Sequence, residues 1–282
     1  MKLTSYRRNG KDSYGIVTDA GVIDLESRLG SKYPNLKALI AGDALAEAQA
    51  IARQARADAD LQAVSLLPVI PNPAKILCIG LNYEEHRVET QRERTDHPTV
   101  FLRLSESQTG HNQPLLCPRE STSLDYEGEI AVIVGKPGRR IAEADAWSHV
   151  AGYSCYNDGS VRDWQRHTSQ FTPGKNFAAT GGFGPWMVSA DEIEPGAALS
   201  LTTRLNGQVM QHATTDMMIF SIPRLIAYCS IFTPLMAGDV IVTGTPGGVG
   251  ARRNPPLFMK AGDVVEVDVD RIGCLRNTIA RD

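Results

Sequence analysis

The segment LDYEGEIAVIVG, residues 124–135, is the stretch that decides the fold. Side chains alternate between the two faces of a strand, so Glu127 and Glu129 lie on the same face, about 7 Å apart along the strand. That face continues through Ala131 and Ile133, so it becomes apolar directly after the second carboxylate. The sequence therefore predicts a β-strand that carries two carboxylates beside apolar surface.

Two interpretations of this carboxylate pair are open. Like charges beside apolar surface repel each other and are costly to desolvate, and a hard cation removes both penalties. Oxygen ligands suit Mg²⁺, Mn²⁺ or Ca²⁺. The alternative is a wet strand end with two solvated glutamates, which the ExE pattern alone favours. A metal site therefore needs support from other segments.

Composition places the chain among ordinary globular proteins. It has 282 residues, of which 42% are hydrophobic and 22% charged, and its formal charge is −3 with the basic residues scattered. This excludes the basic footprint of a nucleic-acid-binding protein. The N-terminus is too polar for a signal peptide, and no apolar run is long enough to span a membrane. The five cysteines form no CxxC pair. We therefore expect a cytoplasmic protein without disulfides.

The chain divides into a small N-terminal module, residues 1–66, and a larger catalytic domain, residues 67–282. The module shows three short strand patterns and an alanine-rich helical pattern over 36–56, interrupted at Gly42 and Asp43. Three prolines between 68 and 73 mark the boundary. Strand patterns dominate the second part, at 76–79, 99–102, 127–134, 149–156, 186–189, 199–205, 239–243 and 264–269. The organisation predicts a β-rich α+β fold.

A third carboxylate stands where the strand pattern at 149–156 gives way to a loop, in CYNDGSVRDWQ, residues 155–165. Asp158 follows the strand end, where rigid scaffolds commonly present ligands on loops. An Asx turn or a helix cap is the ordinary alternative for this residue. Spacing alone does not bring Asp158 to the two glutamates.

A histidine–glutamate pair lies on a predicted helix at 83–94. Asn82 can cap this helix, and His86 and Glu89 follow at i and i+3 on one face. A carboxylate beside an imidazole orients it and raises its basicity, which is the arrangement of a general base acting on water. The helix is densely charged with little apolar surface, so it fits a mobile lid. A plain surface helix with a His–Glu pair is the alternative, which the sequence alone favours.

Two further segments supply polar groups. The glycine-rich segment TGTPGGVG, residues 243–250, follows a strand pattern but lacks the spacing of a Walker or dinucleotide loop. Its backbone and the Thr245 hydroxyl could hold a carboxylate or an enolate, and a tight turn is the equal alternative. Lys175 could supply a cation to an acidic substrate, although a lone lysine is usually solvated.

Taken together and in order, these segments resemble the fumarylacetoacetate hydrolase family. The matching pieces are NYEEHRVE at 82–89, DYEGEIAVIVG at 125–135, YNDGSVRDWQ at 156–165, GKNF at 174–177 and TGTPGGVG at 243–250. The resemblance covers roughly residues 70–280, and five ordered motifs make it far more specific than any one motif. The chain departs from the family at Arg103, where members often have lysine, and in the loop after Phe177.

The resemblance implies the family's mixed β-sheet roll with a small N-terminal α/β module, and commonly a homodimer. It implies a metal, Mg²⁺ or Mn²⁺ with Ca²⁺ as a further candidate, held by Glu127, Glu129 and Asp158. The catalytic candidates it implies are His86, Glu89 and Lys175. The substrate-binding candidates are Gln165, Thr245, Arg103 and Tyr83.

The function implied first is metal-dependent hydrolysis of a C–C bond in acylpyruvate-type 2,4-dioxo acids, a reaction on a small-molecule substrate. The water that His86 activates would attack the distal carbonyl. An isomerase or decarboxylase acting on hydroxymuconate-type diacids or oxaloacetate-like β-oxo acids is the alternative, because the same site serves both reactions. A non-catalytic metal-binding protein on the same fold is a third hypothesis.

Overall fold

The computed structural model describes residues 1–282 as an eleven-stranded sheet, a five-stranded sheet and a two-stranded pair, with short helices between them. The strands are β1 Lys2–Arg8, β2 Lys11–Thr18, β3 Gly21–Asp24, β4 Ser65–Leu66, β5 Ile76–Gly80, β6 Thr99–Arg103, β7 Gln108–Thr109, β8 Leu115–Cys117, β9 Leu124–Asp125, β10 Gly128–Val134, β11 Val150–Asn157, β12 Ser160–Val161, β13 Gly181–Ser189, β14 Ser200–Leu205, β15 Gln208–Thr214, β16 Val240–Val242, β17 Val264–Val269 and β18 Gly273–Arg281. The helices are α1 Glu26–Leu29, α2 Leu36–Ala41, α3 Leu45–Ala52, α4 Glu84–Glu89, α5 Arg162–Gln165, α6 Thr172–Lys175 and α7 Ile222–Phe232. The predicted β-rich mixed fold is confirmed.

Strand β10 lies in the interior of the large sheet, whose main path runs β3-β2-β1-β13-β11-β10-β16-β5-β6. All seven of its residues are buried. Ala131 and Ile133 face one apolar core, and Ile130 and Val132 face the other. The alternation seen in the sequence is thus satisfied by cores on both faces. Glu129 shares the face of Ala131 and Ile133.

The five-stranded sheet, in the order β15-β14-β17-β18-β8, packs against the large sheet. In β17 the residues alternate between partly buried and buried, as its VVEVDV sequence predicts. Val267 and Val269 join Leu201 from β14 and Leu225 from α7 in the core that also contains Ile130 and Val132 of β10. This packing covers one face of the carboxylate strand, and the core that contains Ala131 and Ile133 covers the other.

The N-terminal residues extend the large sheet, because β1 pairs antiparallel with β13. The predicted helical pattern over 36–56 forms two helices, α2 and α3, and the break falls at Gly42 and Asp43, as expected. Asp43 takes a positive φ of 52° there. The boundary near residue 67 stays a prediction.

The sequence patterns missed the two long strands β15 and β18 and the short strands β4, β7, β8, β9 and β12, and they overestimated one helix. Strand β15, QVMQHAT, has a polar sequence and is fixed by its pairing with β14. Strand β18 contains charged and polar residues on its exposed side and pairs with β17 and β8. The lid helix ends at Glu89 rather than near 94, and Gln91 follows with a φ of 57°. None of the helices combines the length and the apolarity that a membrane span requires.

Candidate metal centre and active site

The three predicted metal ligands lie together at one end of the two central strands. Strands β10 and β11 are antiparallel, and Gly128 pairs with Asn157, so the start of β10 lies beside the end of β11. Asp158 follows that end, and its backbone N–H donates to the Glu127 carbonyl at 2.8 Å. One carboxylate oxygen each of Glu127, Glu129 and Asp158 lies within 4.8 Å of the others. Antiparallel pairing thus supplies the proximity that sequence spacing could not.

Three buried cations surround this carboxylate triad. Lys175 Nζ bridges Glu127 Oε2 and Asp158 Oδ2, at 2.6 Å from each. Arg162 Nη1 lies 2.7 Å from Glu127 Oε1. Arg103 Nη1 donates to Asp158 Oδ1 at 2.6 Å. All three side chains are almost completely buried, so these contacts are strong and geometrically fixed.

Glu129 is the member of the triad without an ion pair. Its Oε2 accepts a hydrogen bond from the Gly244 N–H at 2.5 Å. Burial and the neighbouring Asp158 and Glu127 carboxylates raise the pKa of Glu129 well above its usual value. Glu127 is the opposite case: burial disfavours its charge, but Lys175 and Arg162 outweigh burial and hold its pKa well below the ordinary range. The protein's own cations therefore satisfy only part of the triad.

These observations test whether a divalent cation suits the site. The donor set is three carboxylate oxygens, the ligands that hard cations such as Mg²⁺ and Mn²⁺ prefer. Together with Asp125, which pairs with Arg162 at 2.8 Å, the buried centre contains four carboxylates against three cations. A divalent cation beside Glu129 would offset the remaining charge, so the residues present fit the metal.

The lid helix α4 holds an oriented imidazole. His86 Nδ1 lies 2.7 Å from Glu89 Oε1, which leaves Nε2 for another partner. Glu89 Oε2 in turn accepts from the Gly248 N–H at 2.9 Å, so the pair is anchored to the glycine-rich loop. At the base of the lid, the Asn82 amide donates to the carbonyls of Phe220 and Thr243 rather than capping the helix.

A cavity of about 280 Å³ lies between the lid and the triad. The predicted site residues that line it are His86, Glu127, Glu129, Gln165, Lys175 and Thr245. Thr245 donates to the Gly128 carbonyl at 2.9 Å, and Gln165 accepts from Arg162 at 2.9 Å.

Two predicted substrate-binding residues lie away from this cavity. Arg103 is behind Asp158, where it also donates to the Gly159 carbonyl and the Thr180 hydroxyl. Its place among these groups suits a residue that positions Asp158. Tyr83 is buried beneath the lid, and its hydroxyl has no hydrogen-bond partner. The structure thus separates these two side chains from the residues that line the cavity.

Two residues that support the triad, Arg162 and Asp125, were not predicted from the sequence. Asp125 accepts from the N–H groups of Gly250 and Ala251, so it connects the carboxylate strand to the end of the glycine-rich loop. A weak signal existed: Asp125 precedes Glu127 at the same i, i+2 spacing as Glu129, and Arg162 stands four residues after Asp158. Their partnership is a tertiary contact, which spacing does not reveal.

Fold and site together define an enzyme whose buried acidic centre can hold a divalent cation. The sequence model described as fumarylacetoacetate (FAA) hydrolase C-terminal matches residues 75–280. The protein belongs to the fumarylacetoacetate hydrolase family, as the motif resemblance predicted.

Relatives within the family differ in their activities. The chain is 43% identical to oxaloacetate tautomerase YisK of Bacillus subtilis over 223 residues, 78% of this chain and 74% of the relative. It is 41% identical to the mitochondrial oxaloacetate tautomerase fahd2 of Xenopus laevis over 218 residues, 77% and 68% of the two chains. The maleylpyruvate hydrolase of Sphingobium sp. SYK-6, solved with manganese(II) and pyruvate, superposes with a TM-score of 0.82 at 26% identity, covering 100% of this chain and 99% of that one.

Proposed function

We propose that the protein is a divalent-metal-dependent tautomerase that interconverts the keto and enol forms of a 2-oxo acid such as oxaloacetate. The observation that carries this proposal is the oriented His86–Glu89 pair, because His86 lines the same cavity as Glu127 and Glu129. The similarity to two oxaloacetate tautomerases supports the choice of reaction. C–C hydrolysis is the function that the motif resemblance implies first, and these relatives favour its isomerase alternative.

Each residue of the site has a role in this chemistry. Glu127, Glu129 and Asp158 would hold Mg²⁺ or Mn²⁺, which would act as a Lewis acid toward the 2-oxo group and the adjacent carboxylate. The manganese-bound relative supports a divalent cation of this kind.

In the proposed mechanism, the residues of the lid helix transfer the protons. In the keto-to-enol direction, His86 Nε2 takes the proton from C3, the C3–H electrons form the C2–C3 double bond, and the C2 oxygen then receives a proton. Glu89 fixes the imidazole through Nδ1. Lys175 and Arg162, which also line the cavity, would offset the negative charge that develops on the substrate oxygen. No carbon–carbon bond breaks.

Hydrolysis of acylpyruvates is the second candidate. The same imidazole could activate a water, and the solved maleylpyruvate hydrolase shares the fold over the whole chain. A non-catalytic metal-binding role is less consistent with the intact proton-transfer pair. Cytoplasmic location and a homodimer stay predictions from the sequence.

The deciding experiment follows products. Purified protein with Mg²⁺ or Mn²⁺ is expected to accelerate the keto–enol exchange of oxaloacetate, monitored by enol absorbance, without releasing pyruvate or CO₂ faster than the metal ion alone does. With acetylpyruvate, little pyruvate and acetate should form. Rapid cleavage of acetylpyruvate without effect on oxaloacetate exchange would establish the hydrolase instead.

A variant tests the role of the lid. His86→Ala should lower kcat for tautomerisation by about a hundred- to ten-thousandfold, because general acid–base catalysis contributes that much. Mn²⁺ binding should be unchanged, because His86 is not a member of the triad. The control is His97→Ala, since this exposed histidine stacks on Tyr228 outside the cavity and should not affect turnover. Full activity in His86→Ala would reject the mechanism.

A further inference from the structure

The mouth of the cavity has a charge distribution that the proposed mechanism does not use. Arg92 follows the lid helix, Arg166 follows α5, and Arg252 ends the turn after the glycine-rich loop, and all three line the cavity. We call these three residues the arginine rim. The acidic residues that line the cavity, Glu127 and Glu129, lie at its floor. Lys175 and Arg162 line the cavity beside them, so the floor contains charges of both signs, whereas the mouth is positive.

The rim guanidinium groups have no acidic partner. None of the three forms an ion pair, and the one hydrogen bond that a rim side chain makes runs from Arg252 Nη2 to the Thr90 carbonyl at 3.4 Å. Partial burial, together with nearby Arg162 and Arg252, lowers the pKa of Arg166. Three like charges around one opening are unfavourable in the free protein, and an anion between them would relieve the repulsion.

A buried, unpartnered donor lies deeper in the same cavity. Arg162 is 6% exposed and lines the cavity wall, and its Nη2 has no hydrogen-bond partner, although Nε and Nη1 are both paired. A buried guanidinium nitrogen without an acceptor is unfavourable. An oxygen atom of a ligand bound in the cavity would supply the missing acceptor.

The charge balance determines how many anionic groups that ligand needs. With a divalent cation on the triad, the four buried carboxylates and three buried cations leave one positive charge at the floor. The carboxylate next to the 2-oxo group neutralises that charge. The arginine rim is then still uncompensated, so a monocarboxylic substrate would leave it without a partner.

We propose that the arginine rim binds the second carboxylate of a dicarboxylic 2-oxo acid, and that it makes the enzyme selective for diacids over monoacids of the same skeleton. This inference rests on the proposed function, in which the 2-oxo acid end of the substrate binds at the floor of the cavity. Guanidinium groups bind carboxylates through paired N–H donors, which suits this role. A cavity of about 280 Å³ suits a small acid that spans floor and mouth.

The test compares oxaloacetate with its 4-ethyl ester, which keeps the enolisable carbons and the 2-oxo acid but masks the distal charge. We expect the wild-type protein with Mn²⁺ to prefer the diacid in kcat/KM by on the order of tenfold or more, the worth of one charged hydrogen bond. Arg166→Gln combined with Arg252→Gln should raise KM for oxaloacetate by a similar factor with little change in kcat. The ester's KM should not change.

Matched variants separate charge from fold. Arg166→Lys should retain part of the preference, because it keeps the charge and loses the paired donors. Arg92→Gln should act in the same direction as the other rim variants. Arg139→Gln, an exposed arginine outside the cavity, is the control that should change neither KM. The preference should also weaken with rising ionic strength, because the rim is exposed to solvent.

Calorimetric titration of the Mn²⁺-loaded protein with both compounds distinguishes the two hypotheses. If the protein turns over neither compound but binds the diacid more tightly, the tautomerase proposal is rejected and the rim proposal is supported. Tautomerisation of both compounds with equal KM would overturn the rim proposal and leave the tautomerase standing. A double rim variant that keeps the wild-type preference would overturn it as well.

Discussion

At the scale of single residues, Glu129 decides how the site responds to a cation. Its two partners in the triad each contact Lys175 and an arginine, whereas Glu129 has the Gly244 N–H alone. A buried carboxylate without a cation lowers the stability of the folded protein. The same carboxylate is a strong ligand for a metal ion. Removing the charge of Glu129 should therefore raise the stability of the metal-free protein and lower its affinity for the metal.

Glu129→Gln removes the charge and keeps the shape. In EDTA we expect the free energy of unfolding to rise by about 1 kcal/mol, because the repulsion among buried carboxylates is reduced. Mn²⁺ affinity should fall by at least about a hundredfold, since losing even a supporting partner of a ligand weakens binding roughly ten- to a hundredfold. Thermal unfolding and calorimetric titration measure the two effects.

The exposed Glu194 provides the control, because it forms no ion pair and lies outside the cavity. Glu194→Gln should change neither quantity. A Glu129→Gln protein that binds Mn²⁺ like the wild type, or that unfolds more easily in EDTA, would contradict the role given to Glu129.

The sequence predicts contacts between residues that are close along the chain, and it does not predict contacts that depend on tertiary structure. The ExE spacing predicted Glu127 and Glu129 close together from local strand geometry, and their carboxylate oxygens do lie close together, although Glu127 precedes β10. Asp158 joined the predicted site only through the family resemblance, since its approach depends on the pairing of β10 with β11. Arg162 and Asp125 escaped prediction for the same reason, and Arg103, a predicted substrate-binding residue, contacts Asp158.

At the scale of elements, the glycine-rich loop couples the lid to the central strands. Gly248 adopts a φ of 98°, and a Cβ there would lie 2.3 Å from the Met210 carbonyl oxygen. Its N–H holds Glu89, which holds His86. The loop therefore needs glycine at this position for its backbone conformation and for close packing, and the lid depends on both.

Gly248→Ala should displace the loop and release Glu89. We expect kcat to fall by about ten- to a hundredfold, because a misplaced catalytic group loses most of its advantage. Mn²⁺ affinity should stay near the wild-type value, since Glu127 lies just before β10, Glu129 lies on β10 and Asp158 lies just after β11. Stability should fall by about 1–3 kcal/mol from backbone strain. Steady-state kinetics, Mn²⁺ titration and thermal unfolding measure these effects.

Gly262→Ala isolates the effect of backbone strain. Gly262 has a φ of 93°, but no atom lies within 4 Å of the position a Cβ would take. This variant should lose about 1–2 kcal/mol of stability, the typical penalty of a left-handed conformation, and keep full activity. Equal kinetic effects of the two substitutions would show that the loop does not position the lid.

The local sequence pattern predicts some of the strands and helices and misses others. Apolar alternation predicted β10 and β17, and the break between α2 and α3 followed from Gly42 and Asp43. Strands β15 and β18 were missed because neighbouring strands, rather than their own polar sequences, fix them. The lid helix is shorter than its charge pattern suggested, because Gln91 takes a positive φ just after it ends.

At the scale of the whole molecule, the N-terminal residues share a core with the catalytic strands. Leu3, Ile16 and Leu36 belong to the same apolar cluster as Ile133 and Val242. Strand β1 also pairs with β13, which places Leu3 opposite Met187. Since the two parts bury apolar surface against each other, we expect them to unfold together rather than as separate domains.

Leu36→Ala tests this coupling, because the three tryptophans, Trp147, Trp164 and Trp186, all lie outside the N-terminal module. Leu36 is fully buried, so its truncation should cost about 2–5 kcal/mol. The unfolding transition seen by tryptophan fluorescence should shift as far as the one seen by far-ultraviolet circular dichroism. Arg53→Ala, on the exposed surface of the same module, should shift neither. If Leu36→Ala left the fluorescence transition in place and produced a separate, earlier change in the dichroism, residues 1–66 would be an independent domain.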